Sequence, residues 1–465
     1  MWALNTGFRL GILLLLVGSF VTIRFLKHLV WPHGGHPAHD PLDHLVQWGA
    51  VVWTAIAPWA IADVAGWMLF RRHTPVTEEA RREGPGSPMT HHVAFRIVTR
   101  GDQPGIARAT VWSVLEAMQA RPLFPFSVEV VSDEPVTGLP DHPAVRAIVV
   151  PAGYETPHGA THKARALHHA MLVSPVDEDA WVLHLDEESH ATPALIIGIR
   201  NAVMEEEANG LHRIGQGLIT YERDLRKNPL YTMADSIRVG DDLGRFYLQY
   251  RLHSILFGMH GSFLLVRANV ERQVGFDFPP EACTTEDTTW ALHQMAAGNR
   301  FRWVDGTVIE QSPRHFRDFV RQRRRWFTGM WWAARRTNVP ARFRASLALA
   351  MLLWTVGWLG FAYSLLHIAS GVAVPGALGF IGDCIFSVYL TNYLLGLWVS
   401  LSGTKTLGGV RRVAFFVAQA FLIPVFAVIE GAAVVYSLVR PERRFHVVSK
   451  PAEEQDPPTS TRAVA

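Results

Sequence analysis

The chain has 465 residues, of which 49% are hydrophobic, and a mean hydropathy of +0.12, which is high for a wholly soluble protein. There are 44 Lys and Arg residues against 41 Asp and Glu, so the net charge gives no argument for binding nucleic acid. The two cysteines, Cys283 and Cys384, form neither a metal-binding spacing nor a disulfide framework, and they are compatible with a reducing compartment.

Two apolar runs open the chain, over residues 7–29 and 45–70, and each is long enough to span a membrane. Two arginines follow the second run, so the positive-inside rule puts that end, and the N-terminus, in the cytoplasm. A signal peptide is the alternative for the first run, but no small-residue cleavage site follows it. We expect two membrane helices within residues 1–72. Asp63 in the second run marks function, pairs with an arginine, or lies at the membrane interface.

A soluble α/β domain is predicted in the middle of the chain. Residues 73–93 are rich in Pro, Gly, Ser and charge, as is typical of a linker. Beyond them, strand patterns alternate with helical ones: strands are predicted over 94–99, 127–132, 144–150 and 181–185, and helices over 105–119 and 162–172. Such alternation implies crossover connections and a mostly parallel sheet. We expect a nucleotide-binding type of α/β fold over residues 94–313.

The segment WVLHLDEES, residues 181–189, is apolar up to Leu185 apart from one histidine and then turns acidic. Ligands of open α/β sheets bind past the carboxyl ends of the strands, which predicts Asp186 and Glu188 at the mouth of a site. Residues i and i+2 of an extended segment point the same way, and two carboxylates on one side suit Mg²⁺ or Mn²⁺ with substrate phosphates completing the coordination. An acidic helix N-terminus is the alternative, and these residues alone leave both interpretations open.

Polar residues also follow two other predicted strands: Thr99 and Arg100 after the first, and Asp133 after the second. A nucleotide needs a carboxylate for its base or ribose and cations for its diphosphate, which Asp133 and either Lys163 or Arg165 can supply. Taken singly, each residue fits a turn or a solvated helix face, but their convergence on one sheet edge favours a nucleotide site. There is no GxGxxG after the first strand and no GxxxxGK[ST], which disfavours the dinucleotide fold and the P-loop.

A glycine-rich turn over residues 258–267 enters a further strand. Its Gly261 and Ser262 either let the backbone approach a ligand or form a simple loop. Next comes the stretch CTTED, which ends at Asp287 and precedes helical character over 288–297. A carboxylate at a helix start is ordinarily a cap, but it is also well placed to act as a base.

A strand over residues 300–311 is followed by the basic, aromatic run 314–336, which contains RDFVRQRRRWFTGMWWAARR. One interpretation is an amphipathic helix, within residues 314–344, that lies on the membrane surface. The functional alternative is that Arg325 and Trp326 face the site, where the arginine neutralises a leaving diphosphate.

The C-terminal part holds three more apolar runs, over 346–372, 377–401 and 413–439. Three spans would put the following arginines outside, against the positive-inside rule. Pro424 and Glu430 interrupt the last run, so we expect a re-entrant or interfacial element there, and four spans in all, with the C-terminal helices over residues 345–440. The polar tail, 441–465, has the composition of a disordered segment.

Four motifs follow one another along the chain: a lone Asp133, then Asp186-x-Glu188, then Thr285-Glu286-Asp287, then Gln322-Arg-Arg-Arg-Trp326. With the flanking membrane spans, this set resembles the membrane-bound family 2 glycosyltransferases, such as the cellulose, chitin and hyaluronan synthases, whose pattern is Asp, DxD, TED and QxxRW. A finer resemblance to the egghead-type β-1,4-mannosyltransferases rests on VTRGD, KARAL, HLDEES and FHVVSK, which begin at residues 98, 163, 184 and 445. Glu188 departs from DxD but remains a hard oxygen ligand.

The resemblance implies a GT-A fold and inverting transfer from a nucleotide-sugar. Asp287, beside Glu286 in the TED motif, would accept the proton of the acceptor hydroxyl. Arg325, and Mg²⁺ or Mn²⁺ on Asp186 and Glu188, would stabilise the departing diphosphate. The same resemblance implies that Asp133 positions the nucleoside and that Trp326 forms the floor of the acceptor site. It also implies that Gln322, the first residue of the last motif, is a catalytic-site residue.

We therefore expect a multi-pass protein of the bacterial inner membrane or its equivalent, with a cytoplasmic catalytic domain. It would move mannose from GDP-mannose, or glucose from UDP-glucose, to a lipid-linked or glycan acceptor in β-linkage. A processive polysaccharide synthase of the cellulose synthase type is one alternative, which the few spans disfavour. A non-catalytic glycan-binding or transport protein is the other, which the intact carboxylates disfavour.

Overall fold

The computed structural model describes residues 2–441, apart from residues 33, 72–87, 226, 279–283 and 405–406. Cys283, the FHVVSK stretch and most of the predicted linker lie outside the described residues. The predictions made for those segments, and for the tail from residue 442, stay predictions.

Three helices open the chain: α1 (Trp2–Val30), α2 (Pro41–Thr54) and α3 (Ala57–Leu69). The second apolar run, predicted as one span, thus forms two consecutive helices, because Pro58 lacks the N–H needed to continue α2 and instead suits the first turn of a new helix. At the start of α2, the Asp40 side chain accepts a hydrogen bond of 2.9 Å from the Asp43 N–H, which satisfies one of the free donors of the first turn.

A seven-stranded sheet forms the centre of the catalytic domain. Its strands are β1 (Val93–Thr99), β2 (Phe126–Ser132), β3 (Val145–Val149), β4 (Trp181–Asp186), β5 (Ile214–Thr220), β6 (Leu264–Arg267) and β7 (Phe301–Ile309), in the spatial order β3-β2-β1-β4-β6-β5-β7. Strand β6 is antiparallel to β4 and β5, and the other neighbouring pairs are parallel. All seven residues of β1 are buried, as expected of a strand with helices on both faces. The predicted mostly parallel α/β domain between apolar helices is confirmed.

Seven helices accompany the sheet: α4 (Pro104–Ala120), α5 (His162–Val173), α6 (Pro193–Asn209), α7 (Pro229–Asp241), α8 (Tyr247–Arg251), α9 (Ala268–Val274) and α10 (Glu286–Ala296). Between α7 and α8 the chain forms a wider turn with a kink at Gly244, whose φ and ψ are −93° and −113°. Helix α10 begins two residues before the predicted start, so both carboxylates of the TED motif lie in its first turn.

The C-terminal part consists of α11 (Phe316–Arg336), α12 (Ala341–Ser370), α13 (Gly376–Gly403) and α14 (Gly409–Val439). Helix α14 runs through Pro424 without a break, so the expected interruption is wrong. A proline removes one backbone hydrogen bond, and neighbouring helices can sustain the rest. Five helical segments of the described chain are long and apolar enough to cross a membrane: Asn5–Val30, Pro41–Leu69, which comprises α2 and α3, and α12, α13 and α14. The number that do cross stays a prediction.

The apolar helices pack directly on the catalytic domain, through glycines. A Cβ atom on Gly396 of α13 would lie 1.8 Å from the Ser236 carbonyl oxygen of α7. Likewise, a Cβ atom on Gly66 of α3 would lie 1.8 Å from the carbonyl oxygen of Gly244 at the kink. Glycine permits these close backbone approaches, and the site and the apolar helices therefore form one packed unit.

Replacing Gly396 with alanine should destabilise this packing by about 1–3 kcal/mol, because the added methyl group has no space between α13 and α7. The measurement is the thermal unfolding midpoint of the purified protein in detergent. Gly379→Ala is the matched control, since it lies in the same helix and no atom approaches its Cβ position within 4 Å. Equal midpoints for the two variants would contradict this account of the α7–α13 contact.

Candidate active site

A cavity of about 490 Å³ opens at the carboxyl edge of the sheet. All of the site residues predicted from the sequence line it except Arg165. Arg165 lies beside the wall, where it forms an ion pair with Asp133 and donates a hydrogen bond of 3.3 Å to the Tyr154 carbonyl oxygen. The structure therefore brings together residues from all four motifs, which are up to 193 positions apart, from Asp133 to Trp326.

The register of β1 with β2 and β4 brings the carboxyl ends of these three strands to one edge. Val98 of β1 lies opposite Asp186 of β4, and Thr99 lies opposite Ser132 of β2, so the three strands end together. Thr99 donates a hydrogen bond of 2.5 Å to Glu187 and accepts one of 3.1 Å from the Gly101 N–H. Arg100 is exposed and lies 3.5 Å from the Asp102 carboxylate. Thr99 and Arg100 thus contact side chains at the same edge of the sheet. Their donor-binding role stays a prediction.

All three carboxylates of the acidic turn after β4 line the cavity. Glu187 is buried and bonded to Thr99, whereas Asp186 and Glu188 are half-buried. No group of three metal-ligating side chains occurs among the residues that the structure describes. Two carboxylates nevertheless fit Mg²⁺ or Mn²⁺ when phosphate oxygens complete the coordination, because these ions often use one or two protein carboxylates.

Lys163 connects the motifs at the centre of the site. Its ammonium group forms an ion pair with Asp186, donates a hydrogen bond of 2.9 Å to the Gly261 carbonyl oxygen, and lies 4.0 Å from Glu286. Burial alone would lower the pKa of Lys163, but the carboxylates of Asp186 and Glu286 outweigh burial and raise it. The lysine is therefore a permanent cation among the site carboxylates.

The TED carboxylates are buried in the first turn of α10. Burial and the neighbouring Asp287 raise the pKa of Glu286 to about 7, and burial also raises the pKa of Asp287. Asp287 accepts a hydrogen bond of 2.7 Å from the Thr288 N–H, which favours its charged form. The glycine-rich turn approaches closely: a Cβ atom on Gly261 would lie 3.3 Å from an Asp287 oxygen and 2.8 Å from the Lys163 nitrogen. A Cβ atom at this position would therefore crowd the ends of both side chains.

The three arginines of the QRRRW motif point in different directions, because successive residues of a helix are rotated by about 100°. Arg325 lines the cavity and donates a hydrogen bond of 3.2 Å to the Thr284 carbonyl oxygen. Arg323 forms ion pairs with Asp235 and with Glu430, the latter at 2.9 Å. Arg324 donates a hydrogen bond of 2.6 Å to the Arg440 carbonyl oxygen. Arg323 also lines the cavity, but its charge is paired with two carboxylates, so Arg325 is the better candidate for a cation of the site. Arg323 and Arg324 anchor α11 to α7 and to the end of α14.

Several cavity residues were missed by the sequence analysis. The guanidinium of Arg238 lies 4.4 Å from the ring centroid of Trp326, and His260 lies 2.7 Å from the Asp242 carboxylate. These residues and Glu310 line the same cavity. His260 belongs to the glycine-rich turn, which was a detectable signal, whereas Arg238 and Asp242 lie in a segment with no motif.

Asp63 has an arginine partner, which was one of the three explanations expected for this residue. Its carboxylate accepts hydrogen bonds of 3.0 Å from the Arg245 N–H and 3.1 Å from the Asn392 amide, and its nearest contact with the Arg245 guanidinium is 3.2 Å. These residues also line the cavity. The pairing compensates the cost of a buried carboxylate in an apolar helix.

Comparison with known proteins agrees with this site. Residues 181–401 match the family model described as glycosyl transferase family group 2. The β-1,4-mannosyltransferase egh of Drosophila melanogaster is 33% identical over 369 residues, 78% of this chain and 79% of that protein. The chain belongs to the family 2 glycosyltransferases.

Two other known proteins are also similar to this glycosyltransferase. The β-1,4-mannosyltransferase bre-3 of Caenorhabditis elegans is 31% identical over 406 residues, 85% of this chain and 86% of that protein. The solved structure of mannosyltransferase PcManGT from Pyrobaculum calidifontis, in complex with GDP-Man and Mn²⁺, is 16% identical with a TM-score of 0.46, over 84% of this chain and 99% of that one. The family resemblance read from the motifs is confirmed by the sequence relatives.

The raised pKa values of the TED pair predict the pH dependence of this glycosyltransferase. A carboxyl with a raised pKa is still protonated at a pH where an ordinary one is charged, and a protonated carboxyl cannot act as a base. We expect kcat/KM to fall, as the pH is lowered, while the pH is still above the ordinary carboxyl range, because burial raises the pKa of Asp287, the expected base. The measurement is a pH profile of sugar transfer with protein stability checked at each pH. A flat profile down to pH values near the ordinary carboxyl pKa of about 4 would contradict it.

Proposed function

We propose that this family 2 glycosyltransferase is an inverting β-1,4-mannosyltransferase, which moves mannose from GDP-mannose to the sugar of a lipid-linked acceptor. The observation that carries the proposal is that Asp287 and the Lys163–Asp186 pair lie close together in one cavity: the Cβ position of Gly261 is 3.3 Å from an Asp287 oxygen and 2.8 Å from the Lys163 nitrogen. Its sugar is inferred from the relatives, egh and bre-3, which are named β-1,4-mannosyltransferases.

Asp287 is the proposed base. As the acceptor hydroxyl oxygen attacks the anomeric carbon of the donor, its proton passes to the Asp287 carboxylate, and the bond to the diphosphate oxygen breaks with its electrons on that oxygen. Attack opposite the departing group inverts the α-linkage of the donor to a β-linkage. The raised pKa of Asp287 supports this role, because a base with a pKa closer to neutrality accepts a proton more favourably.

Cations of the site stabilise the departing diphosphate. We assign this role to Arg325 and Lys163, whose charges lie on either side of the TED turn. Mg²⁺ or Mn²⁺ bound by Asp186 and Glu188 would supply further positive charge to the same phosphates. Asp133, held by its ion pair with Arg165, contacts the nucleoside in this proposal.

The acceptor sugar is proposed to lie on Trp326. Its indole ring is held from one side by the Arg238 guanidinium, and Gln322 lines the cavity one helical turn away on α11. Aromatic rings suit the apolar faces of sugars, and the amide of Gln322 can bond a hydroxyl. Glu286 serves to hold Lys163 rather than to take part in proton transfer.

We propose a cytoplasmic position for the catalytic domain. Basic residues flank the domain where it joins the apolar helices: Arg71 follows α3, and Arg342 and Arg344 lie at the start of α12. Such residues are enriched on the cytoplasmic side of membrane proteins. A cytoplasmic site also has direct access to soluble nucleotide-sugars.

Nucleotide release tests the proposed reaction. The purified protein in nanodiscs, given GDP-mannose, UDP-glucose and a panel of glycolipid acceptors, should release GDP from GDP-mannose and form a mannosylated lipid. Asp287→Asn should reduce the transfer rate by about 10²- to 10⁴-fold, because the acceptor hydroxyl then lacks its base.

Asp141→Asn is the matched control, since it replaces an exposed carboxylate outside the cavity lining and should leave the rate unchanged. UDP release in place of GDP release would overturn the donor assignment and favour a polysaccharide synthase. Full activity of Asp287→Asn would overturn the assignment of the base.

Metal dependence follows from the proposed role of the acidic turn. We expect EDTA to abolish transfer and excess Mg²⁺ or Mn²⁺ to restore it, because the diphosphate then regains its cation. Asp186→Asn should raise the metal concentration needed for half-maximal activity, whereas Asp141→Asn, which alters an exposed carboxylate outside the cavity lining, should not. Activity that persists in EDTA would contradict the metal role.

A further inference from the structure

The cavity that holds the site continues between the apolar helices. On α12, its lining residues are Ala350, Met351, Leu353, Trp354, Gly357, Trp358 and Phe361, which recur at helical spacing and so form one face. Helix α13 adds Phe386 and Tyr389, and α14 adds Ala427, Gly431 and Val434. We call this part of the cavity, bounded by α12, α13 and α14, the apolar arm.

The apolar arm runs along the helices. From Ala350 to Phe361 there are eleven steps of the helix, which correspond to roughly 16 Å at 1.5 Å per residue. The arm begins beside Met330, Gln322 and Trp326 of α11, so one end adjoins the site for chemistry and the other lies among membrane-spanning candidates.

The lining of the arm favours hydrocarbon over sugar. Along α12 it offers aliphatic, aromatic and glycine surfaces. A sugar chain there would leave hydroxyl groups without partners, which is costly, whereas a hydrocarbon chain has no such groups. The polar residues nearby have protein partners: Asn392 donates to Asp63 and Asp241, and Glu430 accepts from Arg323.

The arm has room for a ligand. A Cβ atom on Gly357 would meet no atom within 4 Å, although this residue lines the cavity in the middle of α12. By contrast, Gly360, on a neighbouring face of the same helix, is packed against Trp53, where a Cβ atom would lie 1.9 Å from the indole ring. The space at Gly357 is therefore a feature of the arm and not of loose packing throughout α12.

We propose that the apolar arm binds the hydrocarbon chain of the acceptor lipid and thereby presents its sugar to Trp326 and Asp287. The inference rests on the proposed function, since it names the part of the acceptor that the enzyme holds beyond its sugar. Burial of the chain contributes binding free energy for each methylene group removed from water, and it fixes the distance of the sugar from the base. The chain thus determines which glycolipids are substrates.

A photoreactive acceptor tests the arm without relying on catalysis. A hexadecyl glucoside with a diazirine at mid-chain is incorporated into phospholipid nanodiscs together with the full-length protein. The sample is irradiated, and the modified residues are then mapped by mass spectrometry. We expect labels on Leu353, Trp354 and Trp358, which line the arm. The exposed residues Leu349, Leu352 and Leu359 of the same helix report the background from probe in the surrounding lipid.

Gly357→Leu should reduce labelling of the arm by at least roughly tenfold, because the new side chain fills space that several methylene groups of the probe would occupy. Gly18→Leu is the matched control: this glycine lies in the apolar helix α1, outside the cavity lining, with no atom within 4 Å of its Cβ position. It should leave the labelling unchanged. Labels confined to the exposed leucines, or equal labelling of the arm in both variants, would overturn the proposal.

A second measurement separates this inference from the proposed function. Transfer of mannose to hexadecyl and to methyl glycosides is compared for both variants. Gly357→Leu should lose the advantage of the long chain and keep the rate on the methyl glycoside. Transfer that is equally fast with both glycosides in the wild type would overturn the role of the arm. Labelling of the arm with no GDP release from GDP-mannose would instead overturn the proposed function and leave the chain site standing.

Discussion

The ion pair between Lys163 and Asp186 is the contact on which the geometry of the site depends. The carboxylates of Asp186, Glu286 and Asp287 are gathered in a partly buried space, where burial and the neighbouring Asp287 raise the pKa of Glu286. A buried ammonium group among them offsets this repulsion, and its bond to the Gly261 carbonyl ties the glycine-rich turn to the same point. Four separate segments are thereby fixed around one cation, and the divalent cation proposed to accompany the donor diphosphate would add its positive charge to this arrangement.

Polar contacts also join the catalytic domain to the apolar helices. Arg245 pairs with Asp63, and Arg323 bridges Asp235 of α7 and Glu430 of α14. Ionisable groups in apolar helices are costly unless they are paired. These ion pairs therefore favour a single alignment of the apolar helices against the α/β domain. Because Arg323 precedes Arg325 by two residues on α11, the bridge sets the rotation of α11 and hence the direction of Arg325 and Trp326. Arg323, which occupies a variable position of the QxxRW pattern, therefore orients the defining residues Arg325 and Trp326.

The sequence predicted the sheet where strands carry a plain apolar pattern, as β1, β2 and β4 do. It gave no prediction for β5, which reads IGQGLIT, because two glycines and a glutamine break the pattern. A Cβ atom on Gly217 would lie 2.3 Å from the Phe263 ring, and the buried Gln216 accepts hydrogen bonds from Tyr250 and His260. Such compensation arises from residues distant in sequence, and the same applies to Asp63, whose partner lies 182 positions away. The motifs located the carboxylates and Arg325. They did not show that Arg323, Arg324 and Arg325 have different partners, because that depends on the rotation of the helix.

The two proposed substrates reach the site from different environments. In these proposals the nucleotide-sugar would contact Asp133 and Asp186 at the sheet edge, and a lipid chain in the apolar arm would bring its sugar past Trp326 from the membrane side. Inversion needs the acceptor hydroxyl on the face of the anomeric carbon opposite the diphosphate, which entry of the two substrates through different parts of the cavity would favour. Helix α11 carries Trp326 and is bonded to α14 through Glu430, so the wall proposed to hold the sugar is joined directly to the wall proposed to hold the chain. The rigid connection between the apolar arm and Asp287 is thus what would convert binding of a lipid chain into the alignment of a single hydroxyl.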